Sequence, residues 1–287
     1  MTESSNPLHC PAIDAHTHLF PKPLSAAIQR TLSRQMDWSF AHPLDRENIE
    51  EIYKQAGVEH YVALPYIHEP EGARELNQWL CDQARQSDMM IPFATVHPSD
   101  DNPEKIVREA FQSGAKGLKF HCPVQQCYPA DTRIEPALEV ATSFNRPVTY
   151  HGGTAPMFRD SKYVGIKPFK ELIRSFPDLR VCCAHMGTYQ HEEFIQLARE
   201  RDNVYLDTTF AMSAQAKQTM GFDPRTISNE TFIELSGSIM YGSDFPNIPY
   251  DYREERADLL DRELPDEVFR DIFYHTSQDY LCLENNG

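Results

Sequence analysis

The chain has 287 residues, with 27 Lys and Arg against 43 Asp and Glu, a net charge of −16, 40% hydrophobic residues and 24% charged residues. That balance supplies material for a core, and the negative charge works against phosphate backbones and anionic membranes as partners. No apolar run reaches the roughly 18 residues that cross a bilayer, and the opening "MTESSNPLHC" lacks the basic start and apolar stretch of a secretory signal.

Apolar runs rich in β-branched residues recur along the chain, with amphipathic stretches between them. The first, "AIDAHTHLF" (12–20), places Asp14, His16 and His18 two apart, so an extended strand lines them along one face. The stretch from Phe20 to about Arg46 is too long for a minimal loop. With "PKPLSAAIQRTLSRQMDW" partly helical, it reads as a flap over the mouth of the fold. Further strands are expected at 60–67, 90–98, 115–122, 146–153, 179–187, 203–210 and 238–246. Helix patterns such as "DRENIEEIYKQAG", "EGARELNQWLCDQAR", "NPEKIVREAFQSG" and "EEFIQLARER" lie between them. A second long excursion spans Ala211 to Asn229, and "DEVFRDIFYHTSQDYLCL" reads as a closing helix.

Eight strands alternating with helices at the spacing of a βαβ unit predict an α/β fold, a (β/α)8 TIM barrel. One domain is expected over 1–287, with a tail at 1–11. A doubly wound open sheet is the runner-up, but no Gly-x-Gly-x-x-Gly turn supports it. The seven cysteines contain no Cys-x-x-Cys pair, which predicts buried, reduced thiols and a cytoplasmic protein.

On that scaffold the chemistry-bearing residues gather at strand ends. His16 and His18 end the first strand, Lys119 and His121 the fourth, His151 the fifth, His185 the sixth and Asp244 the eighth. Barrel active sites are built at that end of the strands. Three imidazoles and a carboxylate arriving from different strands form the ligand set of a divalent transition ion, zinc by default and manganese as the alternative. Asp14 is a candidate partner for an imidazole. Asp207 and Thr208–Thr209 serve equally well as pocket lining or as polar filling of the barrel. His97 reads as loop structure. His9, His42, His60, His68, His191 and His275 read as surface or packing residues, and Arg159, Lys162 and Tyr163 as loop groups that could meet an acidic substrate.

Together "DAHTH", the lysine of "GLKFH", "YHGGT", "AHMG" and "YGSDFP" resemble the amidohydrolase superfamily. More narrowly they resemble its amidohydrolase-related branch, which includes aminocarboxymuconate-semialdehyde and γ-resorcylate decarboxylases. The resemblance runs from about Ala12 to Leu283. It implies that His16, His18, His151 and Asp244 hold one metal, with His185 as a catalytic histidine beside it. In two-metal relatives the strand-four lysine is carboxylated and bridges the ions. Here His121 follows Lys119 closely, as in one-metal relatives, so both are read as substrate-binding. "YHTSQDYL" departs from the branch, which often carries an Asn-Ala pair in its last helix. The expected activity is hydrolysis of a small molecule, a lactone, amide or related carbonyl compound, by metal-activated water. The alternative is non-oxidative decarboxylation or hydration of an aromatic or unsaturated acid. A homodimer is expected by the resemblance alone.

Overall fold

A computed structural model describes residues 11–283 of the chain. The tail at 1–11 lies outside these residues but for its last one, as do His9 and Cys10.

Eight short parallel strands run in chain order: β1 (Ala12–Thr17), β2 (Val58–Ala63), β3 (Met90–Pro92), β4 (Leu118–His121), β5 (Val148–His151), β6 (Val181–Cys183), β7 (Val204–Asp207) and β8 (Ile239–Met240). They pair as β1-β2-β3 and as β4-β5-β6-β7-β8. Two seams join these runs. Ala94 bridges to Leu118, supported by Ala94 N–H to Gly117 O and Lys119 N–H to Ala94 O, both 2.8 Å. The second seam brings the ends of the chain together through Ala15 N–H to Tyr241 O and Asp244 N–H to His16 O, both 2.9 Å, and His18 N–H to Phe245 O, 2.8 Å. The result is the closed eight-stranded TIM barrel. At the first seam Gly117 is required by space: a Cβ there would lie 2.5 Å from the Phe93 ring and 2.7 Å from Pro147 O.

The apolar residues sort into two layers. Ile13, Ala15, Val62, Ile91, Cys182 and Met240 come from five different strands and form a small inner cluster with Tyr280 and Leu281. The closing segment near the C-terminus therefore plugs the end of the barrel away from the site, and Tyr280 also meets the Thr149 hydroxyl at 2.9 Å. The larger outer cluster packs helices on the strands, among them α2 (Arg46–Gln55), α3 (Ala73–Ala84) and α4 (Pro103–Ser113). Ile49 and Tyr53 of α2, Leu80 of α3 and Val107 of α4 fall on the apolar stripes that these elements turn inward.

The expected flap is a 15-residue helix, α1 (Lys22–Met36), entered through Pro21 and closed by Asp37 in the left-handed conformation (φ 56°). Pro23 at its start costs the helix no hydrogen bond, because the first amides have no partner within the helix. No helix among the described residues is long and apolar enough to cross a membrane.

Each strand lies within or overlaps its expected span but is shorter. The difference matters for the site. His185 and Asp244 do not end strands: both stand beyond them in left-handed backbone, with φ 59° and 65°. His18 follows the last residue of β1. Alternation along a strand therefore cannot place these side chains, since the chain has already left the ladder.

Candidate metal centre

The site begins with an irregularity in β1. Its register against β2 shifts between Asp14 and Thr17, and the two-residue alternation breaks there. Asp14 consequently does not join the histidines. Its carboxylate accepts from the Ser243 hydroxyl (2.5 Å), Ser243 N–H (3.1 Å) and the Tyr252 hydroxyl (3.1 Å), and so fixes the loop that carries Asp244. Burial pushes the Asp14 carboxyl up to about 7, against the pull of those donors.

The partner of His16 is Asp207, whose Oδ2 lies 2.8 Å from His16 Nδ1. His18 Nδ1 meets Leu64 O at 2.7 Å. A carboxylate and a carbonyl only accept, so in both rings Nδ1 carries a proton and Nε2 is the nitrogen left for a metal. Both Nε2 atoms face Asp244 Oδ1, that of His18 at 2.9 Å and that of His16 at 3.5 Å. One ligand atom from each of these three residues falls within 4.8 Å of the others. Burial, with Lys119 adding to it, pushes His16 down to about 3, so that ring is neutral at ordinary pH. Lone pairs converging on a carboxylate oxygen repel unless a cation or a proton sits among them, and this donor set suits a divalent transition ion.

Asp207 also holds a second histidine, by its backbone amide. Its Oδ1 accepts His185 N–H at 2.8 Å, so one carboxylate ties the strand-one histidine to the turn after β6. Burial alone would raise this carboxyl, but its contacts with His16 and His185 outweigh that and hold it well below the usual range. His185 Nδ1 donates to Thr209 O at 3.0 Å. Its Nε2 is thereby an acceptor, and His151 Nδ1 donates to it at 3.0 Å. The sequence expectation groups His151 with the three donors. The structure does not bring it into that group. Its ring is held by His185 on one side and stacked on His121 at 4.2 Å and 7° on the other. What remains is His151 Nε2, buried and without a partner, a lone pair of the kind a metal takes.

Lys119 is fully buried, and its Nζ lies 3.4 Å from His16 Nε2, beside the donors. Burial pushes its ammonium down, with Asp207 and Asp244 acting the other way. Burial also pushes the His121 ring well down, and its Nδ1 has no partner. His97 lies in the loop after β3, where its Nδ1 accepts from Ser99 N–H at 3.1 Å.

A cavity of about 420 Å³ opens over these groups. Leu24, Ile28 and Leu32 of α1 line it, so the flap does cover the barrel mouth. Phe158, Phe210 and Met220 line it too. His68, read from sequence as a surface residue, is also on its wall. Arg159 and Lys162 are not: they lie over the rings of Tyr189 and Tyr163 at 4.3 and 5.0 Å. Five of the described cysteines are buried and free, and Cys282 is exposed.

Sequence reasoning left Asp207 undecided. A carboxylate at the end of an apolar run, "NVYLDTTF", was the available signal, since a buried charge needs a donor.

Among solved structures the chain is similar to an uncharacterized TIM-barrel protein from Bordetella bronchiseptica, at 17% identity and TM-score 0.73, over 95% of this chain and 99% of that one. A candidate 2-pyrone-4,6-dicarboxylic acid hydrolase from Pseudomonas putida shares 14% identity at TM-score 0.67, over 96% and 99% of the two chains. A 5-carboxyvanillate decarboxylase from Novosphingobium aromaticivorans, complexed with manganese and 4-hydroxy-3-methoxy-5-nitrobenzoic acid, shares 16% at TM-score 0.63, over 99% and 100%. No curated protein matches the chain. At these identities the likeness speaks for the fold. The amidohydrolase family model, however, matches residues 13–281, nearly all of the sequence. On that match the chain belongs to the amidohydrolase family, and it is an enzyme.

Proposed function

We propose that the protein hydrolyses a small carbonyl compound at one divalent ion held by His16, His18 and Asp244, with His151 turning its free Nε2 to complete the set. The observation that carries this reading is the convergence of His16 Nε2 and His18 Nε2 on Asp244 Oδ1, at 3.5 and 2.9 Å. A divalent cation there supplies Lewis acidity and lowers the pKa of bound water to about 7. Asp244 takes the proton of the attacking water on its carboxylate and returns it to the leaving group. His185, with Nδ1 fixed on Thr209, exchanges a proton only through Nε2, once His151 turns away from it, and in its protonated form stabilises the developing oxyanion. Lys119 and His121 bind the polar end of the substrate. Zinc is the default ion and manganese the alternative, the enzyme acts as one domain or a homodimer, and its buried thiols suit the cytoplasm.

Decarboxylation of an unsaturated or aromatic acid is the second reading, supported by the fold shared with the manganese-bound decarboxylase. The deciding experiment loads the protein with zinc or manganese, measures metal content, and screens lactones, amides and aromatic acids for hydrolysis and for release of CO2. Hydrolysis that disappears in Asp244→Asn supports the first reading. CO2 release without hydrolysis supports the second, and failure to take up any divalent ion overturns both.

A further inference from the structure

We infer that the substrate carries one polar head, a carbonyl or a single carboxylate, on an uncharged apolar body, and that α1 is the element that reads that body. This inference rests on the proposed metal-dependent reading of the site and adds the substrate class.

The cavity has two chemically different ends. Apart from His68, its titratable lining residues lie at the barrel mouth: His16, His18, Lys119, His121, His151, His185 and Asp244, with Tyr66 against the His18 and His121 rings. Away from them α1 presents Leu24, Ile28 and Leu32 at four-residue spacing, which puts one apolar stripe over the mouth. Phe158, Phe210 and Met220 lie among the other lining residues. The Trp38 ring, just past the end of α1, stacks on Phe210 at 5.1 Å and 17°, which gives the cavity a flat aromatic surface. The helix is tied to the metal-bearing loop by Gln29 Nε2 to Pro246 O at 3.4 Å.

Cations decide the rest. Among the described residues lining the cavity there is no arginine, and the one lysine is Lys119, buried against His16. The polar groups of α1 that line the cavity, Thr31 and Gln35, are neutral. A second carboxylate on the body of the ligand would lose its water beneath α1 and gain no fixed positive partner, which disfavours a dianion strongly. One anionic or carbonyl head at the metal end meets no such penalty.

The test compares two ligands on one frame, 4-phenylbutanoate and 4-(4-carboxyphenyl)butanoate, titrated calorimetrically into the manganese-loaded full chain. The monoacid is expected to bind at least about thirtyfold more tightly. Thr31→Arg, at an exposed position of α1 that lines the cavity, places a cation beside the ligand body. This variant is expected to narrow or reverse the preference by about tenfold or more with an unchanged circular dichroism spectrum. Equal or tighter binding of the diacid to the unmodified chain, binding of neither ligand, or an unaltered preference in Thr31→Arg overturns the inference. Binding is read without turnover, so the two readings separate. Tight monoacid binding with no hydrolysis of its amides or esters removes the hydrolase reading and leaves this one standing, whereas preferential cleavage of diacid amides removes this one alone.

Discussion

Replacing Asp207 by Asn tests the core of the metal centre. Both carboxylate oxygens are engaged: Oδ2 by the Nδ1 proton of His16 and Oδ1 by the backbone amide of His185, each at 2.8 Å. Asparagine has one acceptor oxygen, so one of the two donors must face an NH2 group. If that donor is His16, the imidazole has to move its proton to Nε2, and the lone pair offered to the metal is gone. If it is the His185 amide, the turn holding that left-handed residue loses its anchor. Removing the partner that orients a metal-binding imidazole typically costs tenfold to hundredfold in affinity, about 1.4 to 2.8 kcal/mol. Losing a buried bond to a charged acceptor costs the metal-free fold a further ~1.5 to 3 kcal/mol. Manganese or zinc competition against a chelator measures the first quantity, and urea melts of the metal-free protein measure the second. A variant with wild-type metal affinity and an unshifted melt would refute the assignment of Asp207 as the group that sets the His16 tautomer.

Adding zinc or manganese at about a hundred times its dissociation constant is expected to stabilise the protein by ~2.7 kcal/mol. Chelation should reverse the gain, and a His18→Ala chain that gains as much would show that the ion sits elsewhere. Gly242 leaves no room for a methyl group: a Cβ would lie 2.2 Å from Thr209 Oγ1 and 2.8 Å from His16 Cβ. Gly242→Ala should therefore cost about 1–3 kcal/mol of stability and loosen metal binding, and a silent substitution in both assays contradicts the packing. Glu255 is fully buried. Its Oε2 accepts the Tyr250 hydroxyl at 3.0 Å while Oε1 has no partner, and burial pushes its carboxyl well above the ordinary 4.5. Above that ordinary value the unfolded chain releases a proton that the folded chain keeps, so wild-type stability should fall as pH rises through neutrality. Glu255→Gln should escape this decline and match wild type near pH 4. Urea midpoints from pH 4 to 8 that differ by a constant amount count against it.

The strands, the helices between them and the closing helical stretch were legible as apolar runs and periodic burial, whereas the part that stretch plays at the barrel bottom was not. His16 and His18 were legible as a His-x-His pair at the close of an apolar run, although His18 stands just past the strand. Asp14 was misplaced because a register shift between Asp14 and Thr17 cancels the alternation, and no residue type in "AIDAHTHLF" announces a shift. His185 and Asp244 were found as motif residues but assigned to strands, whereas both sit in left-handed backbone that propensity does not forecast. The orientation of His151 depends on a hydrogen bond to His185 and a stack on His121. Those are contacts between separate βα units, and local pattern cannot encode them. The roof was suspected from loop length alone; that α1 turns leucine and isoleucine toward the site emerges only once its helical phase is known.

The seam between the first and last strands is fastened by the same residues proposed to hold the ion. His16 accepts from the Asp244 amide through its backbone, and the His18 amide reaches Phe245. An ion gripped by those side chains is a clasp across the two arms of the polypeptide, so its departure should free the amides of His18 and Asp244 to exchange with solvent before those of β5 and β6. Closure of the chain and assembly of the proposed site thus coincide: the first arm brings His16 and His18, and the last brings Asp244.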